Sequence, residues 1–412
     1  MADLKHESVD TILPYLPTTG WLAQYMRFTD NLEICPRFRF FTAACALGAA
    51  INNKCWIQRG DPGLLPRLFP NIWIIILAPP GRGHKTTAIN MSVNALIQAC
   101  EEVRILADKL TPEYLIKALS APASKKEIIR IGPRDATGLI KAPELSVFFG
   151  KQQYNVGLIN LITDLYDYRE VWKGGTIGRG SEELHNNCIS ICGGSTPSWL
   201  QHMLPEDAFT GGFMSRFVVV EMPPTYYKRV THPRKPKDME WKDIVLKLKT
   251  ISNVKFEFIW GKGSLEAYDK VYDESRPTGD PQHDAYYERE SEQTLKLAMI
   301  LAISTGKKEL TDTLITQAKD ILKVLRIETE PRIERVTTHP RMQLTQDIVD
   351  QLLLAKGPLT EGELLNRVYR LLSQGERQFY EALSVLHKTG RIYHTGKPSD
   401  YSYGLVAKPE GG

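Results

Sequence analysis

Short apolar runs alternate with longer mixed segments between about residues 60 and 225. Three of the runs are continuously apolar, as in strands buried on both faces: "IWIIILA", "CISICGG" and the start of "RFVVVEMPP". The intervening segments have the length and composition of helices, for example "TTAINMSVNALIQACEEVRIL" and "VGLINLITDLYD". This alternation predicts an α/β fold whose mainly parallel sheet is covered by helices on both faces.

The flanking segments have different patterns. Residues 1–60 are predicted to be helical, and residues 223–240 form a connector rich in proline, lysine and arginine that leads into a mostly helical region. From residue 342 the chain contains three amphipathic helical segments and then two short β-like runs around Gly396 to Ser399, the order found in a winged helix-turn-helix. We therefore expect an N-terminal helical region (1–60), a core (61–225), a linker with a helical lid region (226–335) and a winged-helix domain (342–406).

Composition narrows the class of protein only modestly. The 412 residues are 42% hydrophobic and 24% charged, and the net charge of +4 permits a nucleic-acid partner without arguing for one. The N-terminus has no apolar targeting segment, and no stretch is long enough to span a bilayer, so we expect no membrane association and a cytoplasmic location. The six cysteines lack paired spacing, and those in "CISICGG" are interpreted as small core residues and not as zinc ligands.

The segment "NIWIIILAPPGRGHKTTAIN", residues 71–90, resembles a phosphate-binding loop between a strand and a helix. Such a loop needs glycines so that backbone N–H groups can converge on an anion, a lysine for the phosphate oxygens and a hydroxyl for Mg²⁺. The strict spacing fails, because Pro79 and His84 occupy the two glycine positions. An alternative interpretation is a simple turn with an exposed lysine. The residues expected to hold ATP and Mg²⁺ are Pro80, Gly81, Arg82, Gly83, His84, Lys85, Thr86 and Thr87.

Hydrolysis also needs a carboxylate at the end of a neighbouring strand, and Glu144 follows such a run. The aspartate that normally precedes it is absent, since Ala142 and Pro143 stand there, so Mg²⁺ would rely on Thr86, phosphate oxygens, water and Glu144. Further along, Thr196 follows an apolar run and is either a sensor hydroxyl or a cap of the next helix. Arg216, in "GGFMSRFVVV", is either a finger on a neighbouring subunit's nucleotide or part of a surface ion pair.

Two regions are candidates for contact with DNA. "YREVWKGGTIGRGSEELHNN" combines glycines with basic residues, as expected of a flexible loop or hairpin that grips a phosphate backbone, although a solvated surface hairpin is the alternative. In the tail, the third helix could lie in a major groove, although acidic residues weaken its basic character and winged helices also bind proteins. The candidate DNA-contacting residues are Arg169, Lys173 and Arg179 in the first region, and Arg377, Lys388 and Arg391 in the second.

The order of these pieces resembles one known group. "FPN", an apolar strand, "PPG", "KT", "APELSVFFG", "LYD", "CGGSTP", "GGFMSRF" and "RESEQTLKLAMILAI" follow one another as in the helicase-like P-loop ATPases of phage, plasmid and integrated-element replication modules. The resemblance covers roughly residues 35–305. It implies a RecA/AAA+-like core, a hexamer, Lys85 and Thr86 for Mg-ATP, Glu144 as the catalytic carboxylate, Thr196 as the sensor and Arg216 as the finger. It also implies that Arg289, in "YYERESEQ", is a lid arginine that reaches the nucleotide.

The sequence therefore predicts an ATP-driven DNA motor, a hexameric replicative helicase or translocase of a phage or mobile element. Its expected partners are single-stranded or forked DNA, further copies of itself, and a separate primase or polymerase, because no polymerase-type primase domain is recognisable upstream. Two alternatives remain open: an ATP-dependent helicase loader or replication initiator that does not unwind, and a DNA-binding regulator with a degenerate nucleotide site.

Overall fold

The structure is a computed structural model that describes residues 10–406 except 107, 123–133, 150–155, 177–179, 204–211, 224, 276–280, 338–339, 356, 370–371, 373–375 and 398–400. By its internal contacts the chain divides into two compact units, Met1–Pro331 and Arg332–Gly412. The first three segments expected from sequence, up to residue 331, lie in the first unit. Within it, the helix at Pro36–Ile51 packs on the sheet, and the helix at Gly20–Phe28 packs on that helix.

The described strands of the first unit range from two to sixteen residues in length. They are β1 (Cys55–Trp56), β2 (Trp73–Leu77), β3 (Ile105–Leu106), β4 (Asp135–Ala142), β5 (Val171–Thr176), β6 (Gly180–Ser195), β7 (Phe217–Glu221), β8 (Phe256–Glu257), β9 (Ile259–Trp260) and β10 (Glu309–Leu310). The helices are α1 (Gly20–Phe28), α2 (Pro36–Ile51), α3 (Lys85–Ala99), α4 (Pro112–Ser120), α5 (Leu145–Phe149), α6 (Val156–Asp164), α7 (Pro197–Met203), α8 (Trp241–Ser252), α9 (Ser264–Glu274), α10 (Pro281–Ser304) and α11 (Asp312–Thr337).

The main sheet has the order β3-β4-β6-β2-β7, and every neighbouring pair in that order is parallel. Strand β2 is buried along its whole length, as its continuous apolar run predicts. Its first residue, Trp73, is level with Ile191 and Phe217, and its last, Leu77, is level with Ser195 and Glu221. The carboxyl ends of these strands therefore share one edge of the sheet. The α/β prediction with a mostly parallel sheet is confirmed.

Helices cover both faces of this sheet. On one face, α2, α3, α8, α10 and α11 form a core with the inward residues of the strands. On the other face, the Trp73 ring packs against Tyr166, Phe213 and Phe217, with ring centroids 4.8, 6.4 and 5.1 Å away. Apolar surface on both faces is thus removed from water, which accounts for the absence of polar alternation in β2.

Helix α2 is buried at every one of its residues, including two arginines. The guanidinium of Arg37 pairs with the carboxylate of Asp10 at 2.6 Å and also donates to the carbonyl oxygen of Glu221 at 2.9 Å. An internal ion pair is tolerated only when both charges are well hydrogen-bonded, as they are here. It ties the N-terminal segment and α2 to the end of β7.

All six cysteines are buried and none forms a disulfide. Burial raises the pKa of the Cys55 thiol to about 11 and that of the Cys188 thiol to about 12. A buried thiol with a raised pKa behaves as a small apolar side chain. The interpretation of Cys188 and Cys192 as core residues is confirmed.

The second unit has its own apolar core. It contains α12 (Pro340–Ala355), β11 (Leu359–Thr360), α13 (Glu361–Val368), α14 (Glu376–Lys388), β12 (Ile392–Thr395) and β13 (Ser402–Leu405), with the antiparallel strand order β11-β13-β12. Helix α13 begins with a reciprocal capping box, in which the Thr360 hydroxyl accepts from the Glu363 N–H and the Glu363 carboxylate accepts from Thr360. Phe379 lies at the centre of this core and is fully buried.

Candidate functional site

A glycine-rich loop, residues 78–84, follows the carboxyl end of β2 and leads into α3. Gly81 and Gly83 have φ of +71° and +72°. A β-carbon at Gly83 would lie 2.9 Å from Cε2 of Phe38 and 3.1 Å from the sulfur of Met222, whereas one at Gly81 would meet nothing within 4 Å. The positive φ angle favours glycine at both positions, and at Gly83 there is also no room for a β-carbon. At Gly81 the loop is open on its outer side.

His84, the residue that departs from the expected pattern, is the N-cap directly before α3 and has the left-handed conformation with φ of +51°. Its Nε2 lies 3.1 Å from the carboxylate of Glu33, and the same carboxylate accepts the Val230 N–H at 2.6 Å. The Val230 hydrogen bond, followed by the contact with His84, holds the pKa of Glu33 below its ordinary value. Histidine can therefore stand where glycine is usual, because a side-chain contact helps to fix the left-handed backbone.

Lys85 is the first residue of α3 and is buried. Its ammonium donates to the carbonyl oxygens of Ala78 at 2.8 Å and Pro79 at 3.4 Å. Burial lowers the pKa of Lys85, while the negative charge of Glu144 acts in the opposite direction. A cation here, beside the first-turn N–H groups that lack intrahelical acceptors, creates a positive pocket at the start of the helix. Thr86 and Thr87, in that turn, are exposed, as are Pro80 and Arg82.

Glu144 lies two residues after the end of β4, is exposed, and starts α5, whose Val147 N–H donates to its carbonyl oxygen at 3.0 Å. Two glycines of β6 bring this turn close to the neighbouring elements. A β-carbon at Gly194 would lie 2.5 Å from the Pro143 carbonyl oxygen and 3.3 Å from Cδ1 of Ile89 in α3. The apolar-strand pattern therefore continues into two glycines because the turn and the helix approach β6 there.

Thr196 follows the last residue of β6. Its hydroxyl accepts the Trp199 N–H at 3.3 Å and lies 3.3 Å from the Ser198 hydroxyl, so it caps α7, as in one of the two interpretations from sequence. The neighbouring Ser195 carbonyl accepts the Ala78 N–H at 3.4 Å. The beginning of the 78–84 loop is therefore joined directly to the strand end that carries Thr196.

Arg216 and Arg289 lie at the opposite, amino edge of the sheet. Arg216 directly precedes β7, donates to the Gly212 carbonyl at 2.6 Å and lies over the Tyr166 ring at 5.4 Å. Burial, and then the charge of Arg289, lower the pKa of Arg216. Arg289 also lies 5.4 Å from the Tyr166 ring, and both guanidinium groups approach Asp167, at 3.8 and 3.6 Å.

This placement separates Arg289 from Lys85 within one chain. The four residue steps of about 3.3 Å along β2 separate the two edges by roughly 13 Å. Lys85 lies beyond the carboxyl end, whereas Tyr166 contacts Trp73 at the amino end. Within one chain, Arg289 is therefore grouped with Arg216, and not with the residues that were expected to hold a nucleotide.

The basic loop is a β-hairpin in which β5 pairs with the first part of β6. Its described charges are largely compensated. Lys173 pairs with Glu183 at 3.0 Å, Arg169 pairs with Asp164, and Glu182 stands opposite Gly174. Arg179 lies outside the described residues. The expectation of a hairpin is confirmed, but its described portion is not strongly basic.

In the tail, Arg377 pairs with Glu381 at 3.1 Å on α14. Lys388 ends the same helix and Arg391 follows it, and both side chains are exposed. The three cations lie on or next to one helix, and one of them is already paired with a carboxylate.

Sequence reasoning missed two groups. Glu33 lies 51 positions before His84 and was not expected to contact it. Lys296 is buried in the apolar end of α10, where its ammonium lies 4.2 Å from the Tyr166 ring and 3.3 Å from Glu292. A lysine within "TLKLAMILAIS" is a visible departure from apolar periodicity and could have indicated a buried charge cluster.

Comparison with models of known protein families gives no match, and comparison with curated proteins finds no significant similarity. The fold and the geometry therefore define the class: a mixed α/β protein whose mostly parallel sheet is flanked by helices and is compatible with an α/β NTPase-like core. In the part of the chain that the structure describes, no helix has the length and apolarity needed to cross a bilayer. The same described residues contain no cluster of three or more His, Cys, Asp or Glu side chains arranged for a metal.

Proposed function

We propose that this protein is an ATPase that moves on or acts on DNA, with a phosphate-binding loop at residues 78–87. The observation that carries the proposal is the meeting of three groups at one sheet edge: buried Lys85, Glu144 and Thr196. The strand order, in which β6 lies between the loop strand β2 and the carboxylate strand β4, is compatible with a RecA/AAA+-like core. The resemblance in motif order supports the same assignment.

Mg-ATP fits the chemistry of this edge. Among the described residues, the Lys85 ammonium donates to two loop carbonyls, which phosphate oxygens could replace, and the helix start offers backbone N–H groups. Thr86 would provide a hydroxyl for Mg²⁺. Because Ala142 and Pro143 precede Glu144, no aspartate is available there, and the remaining metal ligands would be phosphate oxygens, water and Glu144.

In this proposal each residue has a separate task. When bound, Mg-ATP supplies the phosphoanhydride bond whose hydrolysis drives the protein. The Glu144 carboxylate accepts a proton from the attacking water and the Thr196 hydroxyl orients that water. Lys85 and the loop amides neutralise developing negative charge.

Arg216 cannot join these groups in its own chain, because it lies at the other edge of the sheet. A finger role therefore requires a neighbouring subunit whose loop faces Arg216, as in a hexameric ring. The tail, with its helices and three-stranded antiparallel sheet, would act as a winged-helix module for DNA or protein. In this proposal, the function is that of a replicative helicase or translocase.

A second candidate, a helicase loader or initiator that does not unwind, is favoured by one observation. The described hairpin residues that were expected to grip DNA are paired with carboxylates. A motor that pulls on a backbone needs cations that are free to contact phosphates.

One set of measurements tests the proposal. ATP hydrolysis would be measured with and without single-stranded DNA, together with the oligomer size in the same buffer. We expect hydrolysis that DNA stimulates, that Lys85→Ala abolishes and that Glu144→Gln reduces by about 10²-fold or more. An unchanged rate in Glu144→Gln would remove that residue from the mechanism, and strand displacement on a forked duplex separates the motor from the loader.

A further inference from the structure

A cavity of about 630 Å³ lies at the amino end of β4, away from Lys85. It is bounded by the ends of α2, α3 and α8, and its volume is within the usual range of small-molecule sites. Its lining contains none of the residues that the sequence predicted to bind a nucleotide or DNA. Its lining includes Asn52, Arg67, Asp135, Tyr168, Asn186, Lys249 and Lys255, together with the exposed carboxylates of Glu101 and Glu102.

The backbone is strained at two positions in this cavity. Among described residues other than glycine, positive φ values occur at Asn52, His84 and Asn186, and the first and last of these line the cavity. Asn52, with φ of 53° and ψ of −132°, has a conformation that residues with a β-carbon rarely adopt. Strain of this kind persists where the surrounding structure enforces it, and it clusters at binding sites.

Asn52 also has an unsatisfied polar atom. The residue is 7% exposed, and its Oδ1 has no hydrogen-bond partner among the residues that the structure describes. Buried polar atoms are normally paired, and an exception needs an explanation. A ligand N–H group that enters the cavity and donates to this oxygen would explain the exception.

The cationic and aromatic groups of the lining match the phosphate and the base of a nucleotide. Arg67, Lys249 and Lys255 are exposed cations on the rim, where they can contact a phosphate. The half-buried Tyr168 ring packs against Phe69 with centroids 4.6 Å apart and forms the aromatic part of the lining, and its hydroxyl donates to Asn186 at 2.9 Å. Asn186 in turn donates to Asp135 at 2.8 Å, which fixes this wall of the cavity.

Two further cations line the cavity, and both of them donate to backbone carbonyl groups of the protein. The Lys54 ammonium donates to the Ser252 carbonyl at 2.8 Å, at the end of α8. The Arg104 guanidinium donates to the carbonyl oxygens of Asp135 and Ala121. These bonds stabilise the ends of the elements that form the walls.

We propose that this cavity binds a nucleoside phosphate, supplied either as a free nucleotide or as part of a single-stranded nucleic acid. The cations on the rim hold the phosphate, Tyr168 stacks on the base, and Asn52 accepts a hydrogen bond from the base edge. The free-nucleotide form is independent of the proposed function. The single-strand form rests on it and would supply the DNA contact that the described hairpin lacks.

The test uses the full chain with Lys85→Ala, so that binding at the 78–84 loop does not contribute. AMP is titrated by calorimetry, and a fluorescein-labelled single strand of about twenty mixed-sequence nucleotides is titrated by anisotropy. Binding of AMP identifies a free-nucleotide site, and binding of the oligonucleotide alone identifies a single-strand site. Failure of both probes at millimolar and micromolar concentration, respectively, overturns the proposal, and so does equal affinity for inorganic phosphate and AMP.

Asn52→Gly locates the binding. Glycine accepts the backbone conformation at this position without strain, so the melting temperature should stay the same or rise while the dissociation constant increases by about tenfold. The double variant Lys249→Ala and Lys255→Ala should weaken binding and reduce its dependence on salt. Lys242→Ala, an exposed cation elsewhere on α8, is the control and should change neither. Unchanged affinity in Asn52→Gly would show that the probe binds elsewhere and overturn the assignment.

This test separates the two ideas. ATP hydrolysis by the chain without the Lys85 substitution reports on the 78–84 loop, whereas probe binding in Lys85→Ala reports on the cavity. Loss of one result leaves the other intact.

Discussion

At the scale of single residues, His84 shows how the glycine-rich loop tolerates a departure from the usual pattern. Its left-handed backbone is held by the contact between its imidazole and Glu33, and Glu33 is held in turn by the Val230 N–H. The contact supplies part of what glycine would provide through conformational freedom. In the proposed function, Glu33 is a positioning residue for the loop.

A double-mutant cycle tests this role. Glu33→Gln should raise the dissociation constant for ATP by about three- to tenfold, a typical coupling for residues in contact. In a His84→Gly background the same change should have no further effect, because glycine adopts the left-handed backbone unaided. Calorimetry on the four proteins measures the coupling, and equal losses in both backgrounds would show that Glu33 acts only on general stability.

At the scale of secondary-structure elements, the carboxyl edge of the sheet depends on close backbone approach. Gly194 lets the turn that carries Glu144 pack against β6, and the fully buried α2 supports the same sheet from one face. Two contacts therefore fix this edge. Gly194 allows the turn at Pro143 to approach β6, and the buried Arg37, paired with Asp10, donates to the carbonyl oxygen of Glu221 at the end of β7.

Gly194→Ala should lower the free energy of unfolding by about 1–3 kcal/mol, because the new methyl group would lie 2.5 Å from the Pro143 carbonyl oxygen. Urea denaturation measures the change. Gly157→Ala is the matched control, since its β-carbon would make only an ordinary contact at 3.6 Å on a helix, where alanine is preferred. A Gly194→Ala protein as stable as the control would mean that the turn moves freely.

Asp10→Ala should lower the free energy of unfolding by about 3–5 kcal/mol, because it leaves the buried Arg37 guanidinium without its counter-charge. Asp238→Ala removes the partner of Arg27 in an exposed pair and should cost less than about 1 kcal/mol. The two variants are compared by thermal and urea denaturation. Similar losses would indicate that Asp10 is not buried in solution.

At the scale of the whole molecule, the proposed catalytic groups lie on two opposite edges of one sheet. Lys85, Glu144 and Thr196 occupy the carboxyl edge, and Arg216 and Arg289 occupy the amino edge. In the proposed function, Arg216 therefore has to act at the site of a second copy of the chain. The proposed activity therefore requires an oligomer.

Mixing two inactive variants tests this requirement. The Lys85→Ala protein lacks the lysine of the loop but keeps Arg216, and the Arg216→Ala protein lacks the arginine but keeps the lysine. Each protein should therefore be nearly inactive alone. In mixed oligomers some interfaces combine an intact loop with an intact arginine, and we expect ATP hydrolysis to return. Mixtures that stay inactive, although size measurements show mixed assembly, would contradict a role for Arg216 in trans.

The sequence predicted the sheet and the residues of its carboxyl edge because those features are local. A continuous apolar run followed by glycines and a lysine indicates a buried strand, a turn and a helix start without knowledge of distant residues. A hairpin was one of the two forms predicted for the basic segment, since its basic residues alternate with glycines. The linear pattern did not show that Lys173 and Arg169 pair with carboxylates.

By itself, then, the sequence determined the α/β class, the order of the strands along the chain and the positions where conformation demands glycine. The tertiary structure alone decided which side chains share an edge: it placed Arg289 beside Arg216, joined Glu33 to His84, and gathered Asn52 and Asn186 around one cavity. The physical reason is that strand and turn formation depend on neighbours along the chain, whereas pairing of charges and unsatisfied polar atoms depends on groups that folding brings together from distant positions.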